Sequence, residues 1–255
     1  MAGKLSLAVA LAAFAIGLAG PAARAAEEVA IPDHDWSFDG LFGTFDRASL
    51  QRGLQTYKEV CAGCHSLDLV AFRNLADFGY DEAEVKAIAA SFTVIDGPDD
   101  QGEMFERPGA PSDRFPAPFP NAKAAAAAMG GAVPPDLSLI AKSRKGGPDY
   151  LYALLTGYDE PPPGFELLEG LSYNKVFPGH QIAMAPPLGD DAVAYADGTT
   201  ASLEQIAHDV STFLMWAAEP SLEDRKRTGI KVLLFLLVFT GLLYATKRKI
   251  WSGLH

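Results

Sequence analysis

The chain has 255 residues, of which 49% are hydrophobic, so it is long enough for one large domain or two small ones with a substantial core. Its net charge of -11 lacks the basic excess of nucleic-acid-binding proteins, and we expect no nucleic-acid partner. An acidic surface instead favours a basic protein partner, because complementary fields raise the rate of encounter.

The N-terminal residues have the pattern of a secretory signal peptide. Lys4 supplies the positive start, residues 5–18 are free of charge, and Ala23-Arg24-Ala25 fits a small-x-small cleavage site. A retained N-terminal anchor is the alternative, but the apolar stretch is short for a span and ends in Gly20-Pro21. We therefore predict a signal peptide over residues 1–26 and export of the mature chain.

Four amphipathic helices are predicted in chain order, and the sequence shows neither an internal repeat nor the alternation of a strand-rich fold. The first covers residues 47–60 behind the capping residue Asp46, and the second covers residues 81–90, with acidic residues in its first turn. The third starts at Pro148, since proline suits the first helical position. The fourth follows the capping box Ser202-Leu203-Glu204-Gln205, after which apolar residues recur at helical spacing.

Two long stretches between these helices, residues 96–120 and 160–187, are rich in proline and resemble loops. Loops of this length in a compact domain are usually functional or wrapped around a bound group. We therefore expect an all-α fold whose long loops are ordered by a large prosthetic group.

A second apolar segment, residues 229–246, lies near the C-terminus and nearly matches the hydrocarbon thickness of a bilayer. Lys231 lies at one end and Lys247-Arg248-Lys249 at the other, while Tyr244 and Trp251 suit the membrane interface. A buried core helix is the alternative, but the charged residues bracket the apolar run too sharply for a core element. We predict a transmembrane helix.

Basic residues on both sides of this span leave its orientation open, and the signal peptide decides it. We predict an exported domain over residues 27–221, a charged link over 222–228, the single span, and a cytoplasmic tail over 247–255. In a bacterium this places the domain in the periplasm and the span in the inner (cell) membrane.

Both cysteines of the chain lie in Cys61-Ala62-Gly63-Cys64-His65, the C-x-x-C-H pattern of covalent haem attachment. Each thiol can form a thioether with one vinyl group of the same haem, and the imidazole of His65 then reaches the iron. A zinc site would need further soft ligands, and a thiol–disulfide redox motif would open a helix, whereas this motif follows one. We predict one haem c, attached through Cys61 and Cys64 after export, and therefore no structural disulfide.

The iron of such a haem needs a second axial ligand. Met184 lies in the apolar, proline-stiffened run 182–187, which can hold a thioether over a haem face and exclude water. His180, four residues earlier, is its natural competitor. The other candidates in the exported part are less favoured on their surroundings in the sequence: Met104, Met129, Met215, His34 and His208.

With these residues in view, the chain resembles the cytochrome c1 family, the haem c subunits of ubiquinol–cytochrome c reductase, in its alphaproteobacterial and mitochondrial form. The resemblance covers nearly all of the mature chain, from Asp35 to Trp251. It is carried by the haem motif together with residues 131–138 (Gly-Ala-Val-Pro-Pro-Asp-Leu-Ser), 177–179 (Phe-Pro-Gly), 182–188 and 209–220.

The resemblance implies a cytochrome c-like haem domain with Met184 as the sixth iron ligand and Arg144 as the partner of a haem propionate, which a guanidinium matches in two-point geometry. It also implies a haem pocket lined by Pro134, Pro135, Tyr150, Leu154, Leu155, Phe177, Ile182 and Pro187. The chain departs from the family at Met129 and Ala126, where asparagine and arginine are usual, so a polar contact near the haem is missing or replaced.

The function that the resemblance implies is a one-electron relay, from the Rieske iron–sulfur subunit to a soluble or membrane-tethered cytochrome c. It places the chain beside the cytochrome b subunit and membrane lipid in a dimeric complex. Acidic residues at 81–84 and 99–103 are candidates for docking a basic carrier, with an ordinary solvated face as the alternative. Two rival functions are a catalytic haem protein with an open iron position and a membrane-tethered thiol oxidoreductase.

Overall fold

A computed structural model of the protein describes residues 29–253. The predicted signal peptide, residues 1–26, lies outside the described residues and stays a prediction. The described helices are α1 (Arg47–Thr56, continued by a π-helical turn at Tyr57–Cys61), α2 (Glu82–Ala90), α3 (Ala122–Ala128), α4 (Ile140–Ser143), α5 (Gly147–Thr156), α6 (Leu203–Ala218) and α7 (Leu222–Trp251). Two 3-10 turns at Phe72–Phe78 and Pro178–His180 accompany them.

The strands are few and short. Strand β1 (Thr93–Asp96) pairs antiparallel with β2 (Phe105–Pro108), and β3 (Ser172–Tyr173) pairs antiparallel with β4 (Gln181–Ile182). The predicted all-α class is confirmed, since most regular structure in the described residues is helical. Both hairpins involve the stretches that we expected to be loops, because strands of two to four residues are too short to show alternation in a sequence.

The domain is organised around the packing of α1 against α6. Gly53 allows the close approach, because a Cβ atom at this position would lie 2.2 Å from the carbonyl oxygen of Asp209. Arg52, one residue earlier, donates from Nε to Asp209 Oδ2 at 2.7 Å, while the start of α1 reaches the start of α7 through Arg47 and Glu223. The start of α1 therefore lies beside the junction between α6 and α7.

Large side chains of these helices fill the core between them and the Phe72–Phe78 turn. Trp216 and Phe213 of α6 are 1% and 0% exposed, and Phe78 packs edge-on against Trp216 with ring centroids 4.4 Å apart. The indole Nε1 of Trp216 donates to Asp77, so the polar end of this buried ring is satisfied. Tyr57 of the π-helical turn is 1% exposed and extends the same core toward the cysteine motif.

Helix α7 has 30 residues, and Leu222 is its one buried residue. At about 1.5 Å per residue it is about 45 Å long, enough to cross a bilayer and reach beyond it. Its composition and length fit a single-pass membrane anchor, and the leucine and phenylalanine side chains of residues 233–239 are exposed along it. The charged link expected over 222–228 is helical and forms the first two turns of α7.

The first turns of α7 are fixed to the haem-motif domain by specific contacts. Leu222 is 3% exposed and belongs to the main hydrophobic core. Glu223 accepts from the backbone N–H of Phe45 at 2.9 Å and pairs with Arg47. The ammonium of Lys226 donates to the carbonyl oxygens of two residues in the loop before α1. The anchor therefore continues the domain as a rigid extension.

Candidate functional site

The cysteine motif lies at the end of α1, where the α-helical hydrogen bonds between residues four apart are replaced by a π-helical bond between residues five apart. The backbone N–H of Ala62 donates to the carbonyl of Tyr57 at 2.8 Å, which closes the π-helical turn. The N–H groups of Cys64 and His65 then both donate to the carbonyl of Cys61, at 3.1 and 2.9 Å. This winding places the two thiols and the imidazole on one compact turn, as the haem-attachment pattern requires.

The ring of His65 is oriented by a backbone acceptor. Its Nδ1 lies 2.8 Å from the carbonyl oxygen of Pro135, and because a carbonyl only accepts, Nδ1 carries the proton. The unprotonated nitrogen is then Nε2, with a lone pair available for a metal. The phenol of Tyr57 donates to the backbone carbonyl of His65 at 3.2 Å and holds the same residue from the core side.

Asp136 fastens the proline segment to the residues after the motif. Its Oδ2 accepts from Ser66 Oγ and from the backbone N–H of Asp68, both at 2.8 Å, and its Oδ1 accepts from the N–H of Ser138 at 2.9 Å. Burial raises the pKa of Asp136, but these hydrogen bonds outweigh it, and the net pKa lies below the ordinary value. The carboxylate is therefore charged at neutral pH and keeps Pro135 opposite His65.

Cys61 and Cys64 form no disulfide with each other. Burial, with a smaller effect of the neighbouring Cys64, raises the pKa of Cys61 to about 12. A nucleophilic cysteine of an oxidoreductase has its pKa lowered instead, so that the thiolate is present at neutral pH. The surroundings of Cys61 therefore do not activate this thiol for disulfide exchange.

Met184 lies two residues beyond β4, in the loop that the sequence singled out. The phenol of Tyr158, just after α5, donates to the backbone carbonyl of Met184 at 3.1 Å. Burial raises the pKa of Tyr158, with a further contribution from Tyr150, so the phenol stays protonated and able to donate. This hydrogen bond fixes the methionine loop to the end of α5.

The hairpin before Met184 is attached to α5 by one buried asparagine. Asn174 is 0% exposed, and its Nδ2 donates to the carbonyl of Leu154 at 2.8 Å. Its Oδ1 accepts from the N–H groups of Val176 and Phe177, at 2.9 and 3.1 Å. Asn174 therefore sets the path of the chain through Phe177 and on to Ile182, which is 8% exposed.

Arg144 lies just before α5 with an exposed side chain. Burial raises the pKa of Tyr150, and the positive charge of Arg144 opposes this effect, which shows that the guanidinium lies near the phenol. Within residues 29–253 Arg144 forms no ion pair with an acidic side chain, and the residue is exposed.

The structure shows where most of the remaining residues expected in the pocket lie. Leu154 and Leu155 pack against the main core, as do Cys61 and Val176. Pro134 precedes the proline that accepts from His65, and Pro187 is half-buried three residues after Met184. Packing on the main core and hydrogen bonds to α5 and the residues after it thus connect several members of the expected set.

The rival candidates for the second axial ligand have contacts of their own. Nδ1 of His180 lies 3.1 Å from the carbonyl oxygen of Asn174 and its ring stacks on Tyr173, which leaves its Nε2 free, as in His65. His34 and His208 share one aromatic cluster with Trp36. The methionines differ in exposure: Met104 is 60% exposed, Met215 is 7% exposed on α6, and Met129 caps the end of α3, the helix that contains Ala126.

Sequence reasoning missed the residues that hold this site in place: Asp136, Tyr158 and Asn174. Asp136 lies inside a stretch that marked the family resemblance, but no role was predicted for it. Asn174 stands between Tyr173 and the charged Lys175, so its neighbours in the sequence give no signal of a buried hydrogen-bonding role. The acceptors on Pro135 and Met184 are backbone carbonyls, which every residue possesses, and so leave no sequence signal.

Comparison with known proteins agrees with the geometry. A model of the Cytochrome C1 family matches residues 36–254. Cytochrome c1 of Rhodospirillum rubrum is 49% identical over 249 residues, covering 91% of this chain and 92% of that protein. The mitochondrial cytochrome c1 heme protein of Saccharomyces cerevisiae is 50% identical, covering 94% and 79% respectively.

A longer relative also matches. The cytochrome b/c1 of Bradyrhizobium diazoefficiens is 52% identical over 246 residues, which cover 88% of this chain and 36% of that protein. The family model and the two relatives above each extend over most of the chain. The chain therefore belongs to the cytochrome c1 family.

Proposed function

We propose that this chain is the haem c subunit of a ubiquinol–cytochrome c reductase, working as a one-electron relay. Membership of the cytochrome c1 family supports the electron-transfer role in this complex. The observation that carries the proposal is the hydrogen bond from His65 Nδ1 to the Pro135 carbonyl, because it leaves Nε2 as the free ligand atom beside two thiols. The donor set and its apolar surroundings fit a covalently attached haem c.

In this proposal Cys61 and Cys64 would hold the haem through thioethers, and His65 and Met184 would bind its iron. Haem c, when bound, supplies an iron that changes between the ferric and ferrous states. The thioether of Met184 favours the ferrous state and raises the reduction potential, while the hydrogen bond from His65 to Pro135 fixes the imidazole plane. Because His65 and Met184 would both bind the iron, the haem would relay electrons and would leave no position for oxygen.

The pocket residues have simpler roles. Tyr150, Leu154, Leu155 and Ile182 present apolar surface from α5 and β4, which excludes water and lowers the local dielectric constant. Phe177 and the prolines Pro134, Pro135 and Pro187 close the remaining sides. Arg144 pairs with a propionate at the edge, where its exposed guanidinium can reach a carboxylate.

The proposed partners follow from the family. The chain takes an electron from the Rieske iron–sulfur subunit and passes it to a soluble or membrane-tethered cytochrome c. Helix α7 lies among lipids beside the cytochrome b subunit of a dimeric complex, with residues 27–221 in the periplasm and the tail in the cytoplasm. The fit of α7 to a single span supports the membrane location.

The acidic groups considered for docking have local structural roles. Asp81 and Glu84 form a reciprocal capping box at the start of α2, with both hydrogen bonds at 2.8 Å. Asp99 accepts from the N–H groups of Gln101 and Glu103, both at 2.9 Å. These carboxylates remain exposed, so they can also contribute to the negative field that attracts a basic cytochrome.

Stopped-flow mixing of the reduced full-length protein with oxidised soluble cytochrome c tests this function. The account predicts rapid transfer of one electron per chain, and a reduced spectrum that carbon monoxide leaves unchanged. Ready binding of carbon monoxide would instead indicate an open iron position and a catalytic haem protein. A Met184→Ala variant is the matched control, because it opens the sixth position and is expected to bind carbon monoxide.

A further inference from the structure

The tight loop before α1 exposes two large apolar side chains. In this loop, residues 39–43, Leu41 is 55% exposed and Phe42 is 79% exposed. The tip Gly40-Leu41-Phe42-Gly43 carries no charge. No core contact explains the two side chains, since neither belongs to the hydrophobic clusters of the described residues. An exposed pair of this size suggests a partner surface.

The backbone of the loop is held in one shape. A Cβ atom on Gly43 would lie 1.9 Å from the carbonyl oxygen of Asp39, so the turn closes only with glycine there. The N–H of Thr44 donates to the carbonyl of Ser37 at 3.1 Å across the base of the loop. The tip is therefore presented outward by a rigid base, and little additional ordering is needed when it meets a partner.

The base of the loop lies on the membrane anchor. Lys226 Nζ donates to the carbonyl oxygens of Phe38, at 2.5 Å, and Gly43, at 3.2 Å, which are the two ends of the turn. Lys226 is three residues before Gly229, or about 4.5 Å along the helix axis. Leu41 is two residues from Gly43, and each residue spans at most about 3.6 Å, so the tip stays close to the start of the apolar run.

The rise from Lys226 to Gly229 along the helix and the reach from Gly43 to Leu41 along the chain both match the headgroup layer of a bilayer, which is about 5–7 Å thick on each side of the hydrocarbon core. We propose that Leu41 and Phe42 insert into the lipid interface beside α7 and form a second membrane contact of the domain. Continuity with the apolar surface of α7 and the absence of charge at the tip favour lipid as the occupant. The proposal rests on the anchor helix and is independent of the haem ligands.

The contact has a consequence for the orientation of the haem motif. The tip and the start of α1 lie at the membrane end of the domain, whereas Cys61 lies at the opposite end of α1. The 14 residue steps from Arg47 to Cys61 correspond to about 21 Å along the helix. Two points of attachment, α7 and the loop, would limit tilting of the domain and keep the motif at a constant height above the membrane.

Photo-crosslinking in the assembled, membrane-embedded complex tests the proposal. Benzoylphenylalanine in place of Phe42 captures whatever touches the tip on illumination, and mass spectrometry identifies the adduct. Because the side chain is 79% exposed, the substitution leaves the core intact. The proposal predicts adducts with phospholipid. Adducts with a peptide of another subunit, or an absence of adducts, would overturn it.

Position 168 supplies the matched control. Leu168 is also exposed, at 63%, but its neighbour Leu167 lines a cleft together with Leu203, the first residue of α6. The anchor follows the other end of α6, about 24 Å away along the helix. Benzoylphenylalanine in place of Leu168 should therefore give several-fold less lipid adduct than at position 42. Equal yields at both positions would contradict a specific contact of the loop.

Discussion

Replacement of Arg52 by methionine tests how the two central helices are held together. Asp209 of α6 is 0% exposed, and its carboxylate accepts two hydrogen bonds from Arg52, from Nε at 2.7 Å and from an Nη at 3.1 Å. Gln205 donates a further bond at 3.0 Å. Methionine keeps much of the aliphatic stem of the arginine but removes the charge, so Arg52→Met leaves a buried carboxylate without its counter-ion.

The expected loss is about 3–5 kcal/mol of the free energy of unfolding at neutral pH, the usual cost of removing one partner from a buried pair. The Arg52→Met, Asp209→Asn double variant should lose less than the sum of the two single variants, by about 1–3 kcal/mol, because neither charge is then left alone. The single Asp209→Asn variant completes this double-mutant cycle.

The pH dependence of the free energy of unfolding tests the role of the Asp209 charge independently. In the native protein burial raises the pKa of Asp209, but hydrogen bonds from His208, Arg52 and Gln205 outweigh it and the net pKa is lowered. The stability from this carboxylate is therefore present above its ordinary pKa of about 3.9 and is lost as pH falls through the lowered value. Without Arg52 the burial effect is opposed less, so the pKa rises and the cost of the variant grows with pH.

Urea unfolding of the full-length holoprotein in detergent, followed by near-ultraviolet circular dichroism, measures both quantities. The difference between wild type and Arg52→Met should be larger at pH 7.5 than near pH 4, in the ordinary range of an aspartate pKa. A difference below about 1 kcal/mol, the value typical of an exposed pair, would refute the buried ion pair as the link between α1 and α6. A difference independent of pH would refute the charge argument.

Further predictions concern the methionine loop, the helix contact and the anchor. Met184→Leu should lower the reduction potential sharply in redox titration, and an unchanged potential would rule out its ligand role. Tyr158→Phe removes the donor to the Met184 carbonyl and should cost about 1 kcal/mol of stability and speed carbon monoxide binding; unchanged values would contradict that fixation. Gly53→Ala should lower the free energy of unfolding in urea by about 3 kcal/mol, because the added Cβ would meet the Asp209 carbonyl. Alanine is the better helix former, so a stabilised variant would disprove the close contact. Truncation after Arg227 retains the first turns of α7 and should release a soluble haem domain, whereas membrane retention would argue against a single anchor.

The helices that begin with a capping residue were predictable from the sequence. Asp46, Asp81 and Ser202 each accept a backbone N–H at the start of α1, α2 and α6, as expected from their side chains. The short helices α3 and α4 were not predicted. Helix α3 consists almost entirely of alanine and so has no apolar periodicity to detect, although alanine favours a helix.

The anchor shows how tertiary contacts extend a predicted element. Residues 222–228 are charged and lack an apolar face, which suggested a separate link. They are helical because Leu222 is buried in the core and Glu223 and Lys226 bond to the segment before α1. Such partners lie more than 170 residues away in the sequence, so no local pattern indicates them.

The candidate site also combines features that the sequence predicts with features that only the fold shows. The cysteine motif and the methionine loop were predicted from local patterns, and the structure places the first at the end of α1 and attaches the second to Tyr158 just after α5. The hydrogen bonds from Asn174 and Tyr158 depend on the fold, because they join the β3–β4 hairpin and the loop after it to α5. Sequence alone therefore predicts which residues carry the chemistry, and the structure shows the hydrogen bonds that hold these segments in place.

The most direct test of the account is mass analysis of the purified mature chain after digestion. The account predicts that the peptide containing Cys61 and Cys64 carries the mass of one haem, and that its pyridine haemochrome spectrum is that of a haem with two thioether bonds. A peptide of unmodified mass, whose two thiols react with an alkylating reagent, would contradict the proposed electron-relay function.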